Sequence, residues 1–133
     1  MKYLLDANTC IEFLRERDSA VKCNLAKVNQ QDVALCSVVK AELYYGAYRS
    51  TQATRNLEKM REFFANLDSL SFDDAAAEEY GRLRAFLAKQ GALIGPNDLL
   101  IAAIALAHNV TLVTHNTHEF ERVPILTLED WQD

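Results

Sequence analysis

The chain has 133 residues and a mass of 15.0 kDa, a size that favours one domain built around its own hydrophobic core. Half of the residues are hydrophobic and a quarter are charged, the composition of a globular protein, and no low-complexity segment or internal repeat is present. The formal net charge of −5 argues mildly against a nucleic-acid partner, because phosphate binding requires Lys and Arg, although basic residues can still cluster on one face. We expect residues 1–133 to form a single domain.

Targeting signals and disulfides are not expected. The first apolar run breaks at Asp6, too early for a signal peptide, and no run reaches the roughly 18 apolar residues of a membrane span. The three cysteines are odd in number and lack a CxxC spacing, which favours free, buried thiols over a disulfide framework or a zinc site. These features predict a cytoplasmic protein with no membrane partner.

The first predicted element is a short buried strand over residues 2–5 that ends abruptly on Asp6. Thr9 and Glu12 then fit the capping-box pattern of a helix start. In open α/β sheets, ligands collect in the crevice beyond the carboxyl ends of the strands. Asp6 is therefore the first candidate for chemistry.

Apolar runs and helix signals alternate along the rest of the chain. Short apolar runs predict further strands at residues 33–36, 69–72, 111–114 and 123–128. Helical spacing and capping residues predict helices at residues 19–28, 38–48, 52–67, 73–90 and from 96 to about 108. Residues 115–120 are predicted as a polar loop after the fourth strand. This alternation indicates an α/β fold with a parallel, doubly wound sheet.

Five polar side chains stand at positions where the predicted strands and helices would bring them to one edge of the sheet. Three of them follow the first and fourth strands, which end at the same edge of a parallel sheet, and two lie near the starts of the helices after the second strand and at Pro96. These candidates are Asp6, Glu42, Asp98, Asn116 and Glu119.

Three carboxylates in one cleft repel one another by a few kcal/mol per close pair at an effective dielectric constant of about 20. Either their pKa values rise or a divalent cation neutralises them. Ligands that are all oxygen suit Mg²⁺ or Mn²⁺ better than zinc. Such an ion lowers the pKa of a bound water and stabilises charge on a phosphoryl oxygen, so metal-assisted hydrolysis of a phosphodiester is the reaction that fits best.

Each of these side chains also has an ordinary structural interpretation. Asp6 could cap the helix that follows it, Asp98 could be a first-turn acid that favours the helix dipole, and Glu42 could pair with a basic neighbour such as Lys40 or Arg49. Asn116 is more common in turns than as a ligand. Glu119 has the spacing of a helical salt bridge with the arginine three residues later.

Two other groups of side chains have open roles. The Thr9 hydroxyl is close enough in sequence to hydrogen-bond Asp6 or a metal-bound water. Tyr44, Tyr45 and Tyr48 could pack against a partner or be ordinary half-buried residues.

The sequence resembles the PIN-domain family, and specifically the VapC-type toxins of bacterial toxin–antitoxin modules. Four short motifs carry this resemblance, and they occur in order over almost the whole chain. They are LLDANT at residues 4–9, AELYYGA at 41–47, IGPNDLLIA at 94–102 and LVTHNTHEF at 112–120. Each motif is short enough to occur in unrelated proteins, but the four motifs in this order are specific for the family.

The resemblance implies a three-layer α/β/α domain with a central parallel sheet of four to five short strands. It implies an endoribonuclease in which Asp6, Glu42 and Asp98 match the family's acidic triad and bind Mg²⁺, with Mn²⁺ as a substitute. Asp6 and Asp98 would hold the ion directly, and Glu42 would bind through water or orient the attacking water. Many relatives have a fourth Asp where this chain has Asn116, which leaves Glu119 to supply the missing carboxylate in an outer shell.

The resemblance also implies partners. The substrate would be RNA, with transfer RNA as the favoured class, and a cognate antitoxin would insert into a groove near the site. Relatives pair as homodimers and join higher toxin–antitoxin assemblies. The basic stretches at residues 49–61 and 82–89 are candidates to hold RNA or are simply solvated helix faces.

Two other functions also match part of the sequence. A phosphatase of the haloacid dehalogenase type also opens with an apolar strand, an Asp and a Thr, but it needs a second Asp two residues after the first, where this chain has Asn8. A PIN-like module that binds RNA or protein with a degraded metal site is suggested by Asn116 and opposed by the three intact acids.

Overall fold

A five-stranded parallel sheet forms the central layer of the protein, whose computed structural model describes residues 2–15 and 17–132. The spatial order is β3-β2-β1-β4-β5, and every neighbouring pair is parallel. The strands are β1 (Tyr3–Leu5), β2 (Val33–Cys36), β3 (Asp68–Leu70), β4 (Thr111–Val113) and β5 (Leu128–Glu129). The described residues also form seven α-helices, which are α1 (Ala7–Leu14), α2 (Ala20–Ala26), α3 (Ser37–Tyr48), α4 (Ala53–Ala65), α5 (Asp74–Lys89), α6 (Pro96–His108) and α7 (Thr117–Phe120). The predicted three-layer α/β class is confirmed.

The core lies around the three inner strands. Leu4 and Leu5 in β1 and Leu112 and Val113 in β4 are fully buried, as expected of strands that are covered on both faces. Helix α6 packs against α5 and α3. Six of the seven residues from Leu99 to Ala105 are buried, and the exception is Leu100. Its nearly continuous apolar composition is therefore explained by burial between neighbouring elements.

The order of the strands places a crevice between β1 and β4. From β1 the chain runs outward through β2 to β3, then returns to the other side of β1 to form β4 and β5. The connection after β1 therefore leads to one side of the sheet and the connection after β4 leads to the other. Ligands bind at such topological switch points, beyond the carboxyl ends of the strands. The Asp6 N–H donates to the carbonyl of Val113 (3.0 Å), which joins the end of β1 to the end of β4.

Two local predictions about helix starts were wrong by a few residues. Helix α1 begins at Ala7 with Asp6 as its N-cap, so the capping box that we predicted from Thr9 does not form. Helix α3 begins at Ser37, which we predicted as the N-cap, and Cys36 occupies the cap position without a side-chain hydrogen bond. Helix α3 starts directly after β2, and only the N-cap Asp6 separates α1 from β1.

The carboxyl-terminal third departs further from the prediction. Residues 117–120, predicted as loop, form the short helix α7, and the last strand covers only Leu128 and Glu129. The predicted strand over 123–128 is wrong because the backbone turns there, with Ile125 at φ 60°. The three cysteines are free, as predicted, although Cys23 is exposed and only Cys10 and Cys36 are buried.

None of the helices in the described ranges has the length and apolar character needed to cross a bilayer.

The burial of α6 predicts a large effect of truncating a side chain there. Ile104 is fully buried, so Ile104→Ala should lower the free energy of unfolding by about 2–5 kcal/mol through lost burial and a residual cavity. Urea titration followed by circular dichroism measures this change. Leu93, which is 49 % exposed, provides the control, and Leu93→Ala should change stability by about 0.5 kcal/mol or less. Equal effects of the two substitutions would contradict the assignment of α6 to the core.

Candidate active site

Asp6 reaches the crevice from the end of β1 and is almost fully buried. Its Oδ1 accepts a hydrogen bond from the backbone N–H of Thr9 (2.9 Å), so the interpretation of Asp6 as a helix cap is correct. A carboxylate has about four lone-pair sites, and one cap bond leaves the others for a second partner. The Thr9 hydroxyl does not bond to Asp6 as we expected, since it donates to the carbonyl of Val113 (3.2 Å).

Glu42 lies in the second turn of α3 and points one oxygen into the protein without a partner. Among the described residues, its buried Oε1 has no hydrogen bond. Burial, followed by the negative charge of Asp6, raises the pKa of Glu42. The basic neighbours do not neutralise it as the ordinary interpretation required, because Lys40 lies over the ring of Phe64 (4.9 Å) and Arg49 over that of Tyr45 (5.4 Å). A buried oxygen without a partner is costly, so this position suits a cation or a hydrogen-bond donor.

Asp98 stands in the first turn of α6, where a helix dipole alone would favour its charged form. Burial overrides the dipole and, together with the hydrogen bond and charge of Glu119, raises the pKa of Asp98 to about 7. The charges of Glu42 and Asp6 raise the pKa further. The helix-dipole interpretation is therefore insufficient for Asp98, and four acids from separate parts of the chain share one electrostatic neighbourhood.

Glu119 enters this neighbourhood from α7. Its Oε1 accepts the backbone N–H of Gly95 (2.7 Å), and its Oε2 accepts the side-chain N–H of Asn116 (3.0 Å). The bond from Gly95 is the main reason why the pKa of Glu119 is lowered. Of the two acids, Asp98 is therefore the one that takes up a proton more readily. Arg122, the partner in the predicted helical salt bridge, donates to the carbonyl of Leu93 (3.2 Å), and its charge makes a smaller contribution to lowering the pKa of Glu119.

Gly95 is a member of the site that the sequence did not reveal. It is the N-cap of α6, has no side chain to cap the helix, and offers its N–H to Glu119 instead. A β-carbon at this position would lie 3.5 Å from both Asp98 Oδ2 and Glu119 Oε1. The Gly-Pro pair indicated a helix start, but the contact with Glu119 spans too much sequence to be visible in a local pattern.

The carboxylate oxygens of the site are the kind of ligand that a hard divalent cation prefers, but they are not arranged around a common point. Among the described residues, no three His, Cys, Asp or Glu side chains are arranged so that they could hold a metal ion. In this arrangement Asp6 caps α1 and Asp98 is hydrogen-bonded to Glu119. The unpaired Glu42 oxygen and the raised pKa of Asp98 both indicate uncompensated negative charge. Asp6, Glu42 and Asp98 could hold Mg²⁺ or Mn²⁺ through oxygen once Asp98 gives up its proton.

The contacts of Glu119 predict a stabilising role that is separate from chemistry. Glu119→Gln should weaken the hydrogen bonds from Gly95, Asn116 and Asp98, because an amide is a weaker acceptor than a carboxylate, and lower the free energy of unfolding by about 1–2 kcal/mol. Hydrogen exchange at the Gly95 amide should become faster, and nuclear magnetic resonance can measure both effects during urea titration. The control is Glu121→Gln, which makes the same charge change at an exposed position. Unchanged exchange at Gly95 would contradict the assigned contact.

Comparisons with known proteins identify the family. A family model described as "PIN domain" matches residues 3–126. The chain is 40% identical over 131 residues to the "tRNA(fMet)-specific endonuclease VapC" of Shigella flexneri, with 98% of each chain covered.

Solved structures agree with this result. The crystal structure of VapBC2 from Rickettsia felis, bound to a DNA fragment from its promoter, is 40% identical with a TM-score of 0.89, covering 98% of this chain and 99% of that one. DNA-bound VapBC from Salmonella typhimurium is 36% identical with a TM-score of 0.92 and 98% of each chain covered. The chain therefore belongs to the PIN-domain nuclease family and, within it, to the VapC ribonucleases.

Proposed function

We propose that this chain is a toxin that cleaves RNA endonucleolytically with Mg²⁺ or Mn²⁺ and that a cognate antitoxin inhibits it. The observation that carries the proposal is the meeting of Asp6, Glu42, Asp98 and Glu119 at the switch point of the sheet, with one buried Glu42 oxygen left unpaired. Such a set is suited to a cation that acts on phosphate oxygens. Transfer RNA is the proposed substrate class, because the Shigella flexneri relative is named for it.

The partners are proposed on the same basis. The structures from Rickettsia felis and Salmonella typhimurium are VapBC complexes, and the likeness covers nearly the whole of this chain. We infer that this chain also binds an antitoxin, pairs as a homodimer within the assembly and works in the cytoplasm. Residues 1–133 would act as a single PIN domain.

The side chains have separate tasks in the proposed reaction. When bound, the ion supplies positive charge and lowers the pKa of water. Asp6 and Asp98 would hold the ion, and the unpaired oxygen of Glu42 would accept a hydrogen bond that orients the attacking water. Glu119 fixes the start of α6 through Gly95, and Asn116 holds Glu119 in place. In-line attack of water on phosphorus breaks the bond to the 3′ oxygen and leaves a 3′-hydroxyl and a 5′-phosphate.

The function is tested with Asp98→Asn. The asparagine keeps the shape of the side chain and its N–H can donate to Glu119, so the fold should be retained, while metal-dependent cleavage of total transfer RNA should fall by at least about 100-fold. Gel analysis with Mg²⁺, Mn²⁺ or a chelator measures the cleavage, and mapping of the cut ends locates the sites. Asp74→Asn is the matched control, because Asp74 is an exposed acid in the first turn of α5.

Unchanged cleavage by Asp98→Asn would contradict the site assignment. Absence of metal-dependent cleavage of any RNA by the unmodified protein would favour the binding-module hypothesis.

The raised pKa of Asp98 predicts a pH dependence. The carboxyl is neutral in the folded protein and charged in the unfolded chain between its ordinary pKa of 3.8 and about 7, so its contribution to stability falls as pH rises through this window. Metal binding requires the charged form and should therefore strengthen over the same window. Thermal unfolding should show a larger stabilisation by Mn²⁺ at about pH 8 than at about pH 6. An equal stabilisation at both pH values would contradict a role for Asp98 as a ligand.

A further inference from the structure

Glu42 stands at the boundary between two surface clefts. One cleft lies between α1, α3 and α4, and the other lies between α3 and α6. The second has a volume of about 590 Å³, within the range of roughly 300–1,000 Å³ that holds a small organic ligand. Its walls include Val38, Ala41, Glu42 and Tyr45 of α3 and Asn97 and Leu100 of α6. An acid of the candidate active site therefore forms part of the wall of a nucleotide-sized cleft.

Tyr45 presents a free aromatic surface at this cleft. Its side chain is 69 % exposed, whereas the adjacent Tyr44 is half-buried and packs edge-on against Phe64 (5.5 Å between ring centroids). The guanidinium carbon of Arg49 lies 5.4 Å from the centroid of the Tyr45 ring. Arg49 thus places a positive charge next to the exposed Tyr45 ring on the α3 side of the cleft.

We propose that the α3–α6 cleft is a nucleotide subsite in which Tyr45 stacks on a base next to the scissile phosphate and Arg49 pairs with a neighbouring phosphate. The proposal rests on the proposed ribonuclease function and adds two substrate-binding residues to it. An aromatic ring stacks on any base and contributes about 1–3 kcal/mol, and a nearby arginine suits the charge of the RNA backbone. The base must be unpaired to reach the ring, so this part of the substrate is single-stranded.

A nucleotide explains this cleft better than a protein surface does. The cores of protein interfaces are depleted of charged residues, whereas this cleft contains the Glu42 carboxylate, with one oxygen already unpaired, and its Tyr45 ring is in contact with Arg49. An apolar partner would bury these groups further without satisfying them. A nucleotide instead supplies a flat base for Tyr45, a phosphate for Arg49, and polar edges for Asn97.

The decisive variant is Tyr45→Ala, with Tyr45→Phe as the variant that keeps the ring. Cleavage of total transfer RNA should show kcat/KM lowered by about 10- to 100-fold in Tyr45→Ala and nearly unchanged in Tyr45→Phe. Tyr48→Ala is the matched control, because Tyr48 is 65 % exposed on the same helix but does not line the cleft. It should cleave like the unmodified protein.

A binding measurement separates stacking from catalysis. The probe is a short single-stranded RNA with one 2-aminopurine, whose fluorescence is quenched when the base stacks. It should be quenched by the Asp98→Asn protein, and much less by the same protein that also carries Tyr45→Ala. Light scattering of each variant reports its oligomeric state.

Equal cleavage by Tyr45→Ala and the unmodified protein would overturn the subsite. So would a change in oligomeric state together with unchanged quenching, which would identify this face as a protein interface. If the unmodified protein cleaves no RNA, the proposed function fails, and the quenching measurement then decides on the subsite alone.

Discussion

Mutual repulsion of carboxylates at one edge of the sheet is the constraint on which the candidate site depends. Each acid has a different compensation for its charge. The backbone N–H of Thr9 donates to Asp6, and the N–H of Gly95 and the side-chain amide of Asn116 donate to Glu119. Asp98 avoids the charge because its pKa is raised to about 7. Glu42 has the least compensation, with a buried oxygen that bonds to no described residue. The site therefore has negative charge that the described residues do not fully compensate, and this is the physical basis of the proposed binding of a divalent cation.

The same hydrogen bonds that relieve the repulsion also build the fold. The acid at the end of β1 starts α1, and the acid in α7 completes the start of α6, which has no side-chain cap of its own. A residue that both caps a helix and holds an ion cannot be exchanged without affecting stability and chemistry together. Substitutions that keep the hydrogen bond and remove only the charge, such as Asp to Asn, are therefore the informative ones at Asp6 and Asp98.

Features that are encoded locally could be predicted from the sequence, and those that depend on distant contacts could not. Buried strands and the apolar helix α6 follow from apolar runs, and the three principal acids follow from their positions beside them. Asp6, and not Thr9, caps the first helix, and the Thr9 hydroxyl donates to the carbonyl of Val113, which lies far away in sequence. The N–H of Gly95 is invisible to any local pattern. Periodicity also cannot tell which tyrosine of an adjacent pair faces solvent.

The parallel pairing of β1 with β4 has a consequence for the order in which the protein is made. Leu5 lies beside Val113, so β1 can pair with β2 early but with β4 only after residue 113 has been synthesised. A nascent chain that ends before β4 carries Asp6, Glu42 and Asp98 but lacks both the strand that pairs with this side of β1 and the Glu119 contact that fixes the start of α6. The acids of the candidate site are therefore synthesised before the elements that arrange them, and a chain shorter than about 119 residues has the side chains without the contacts between them.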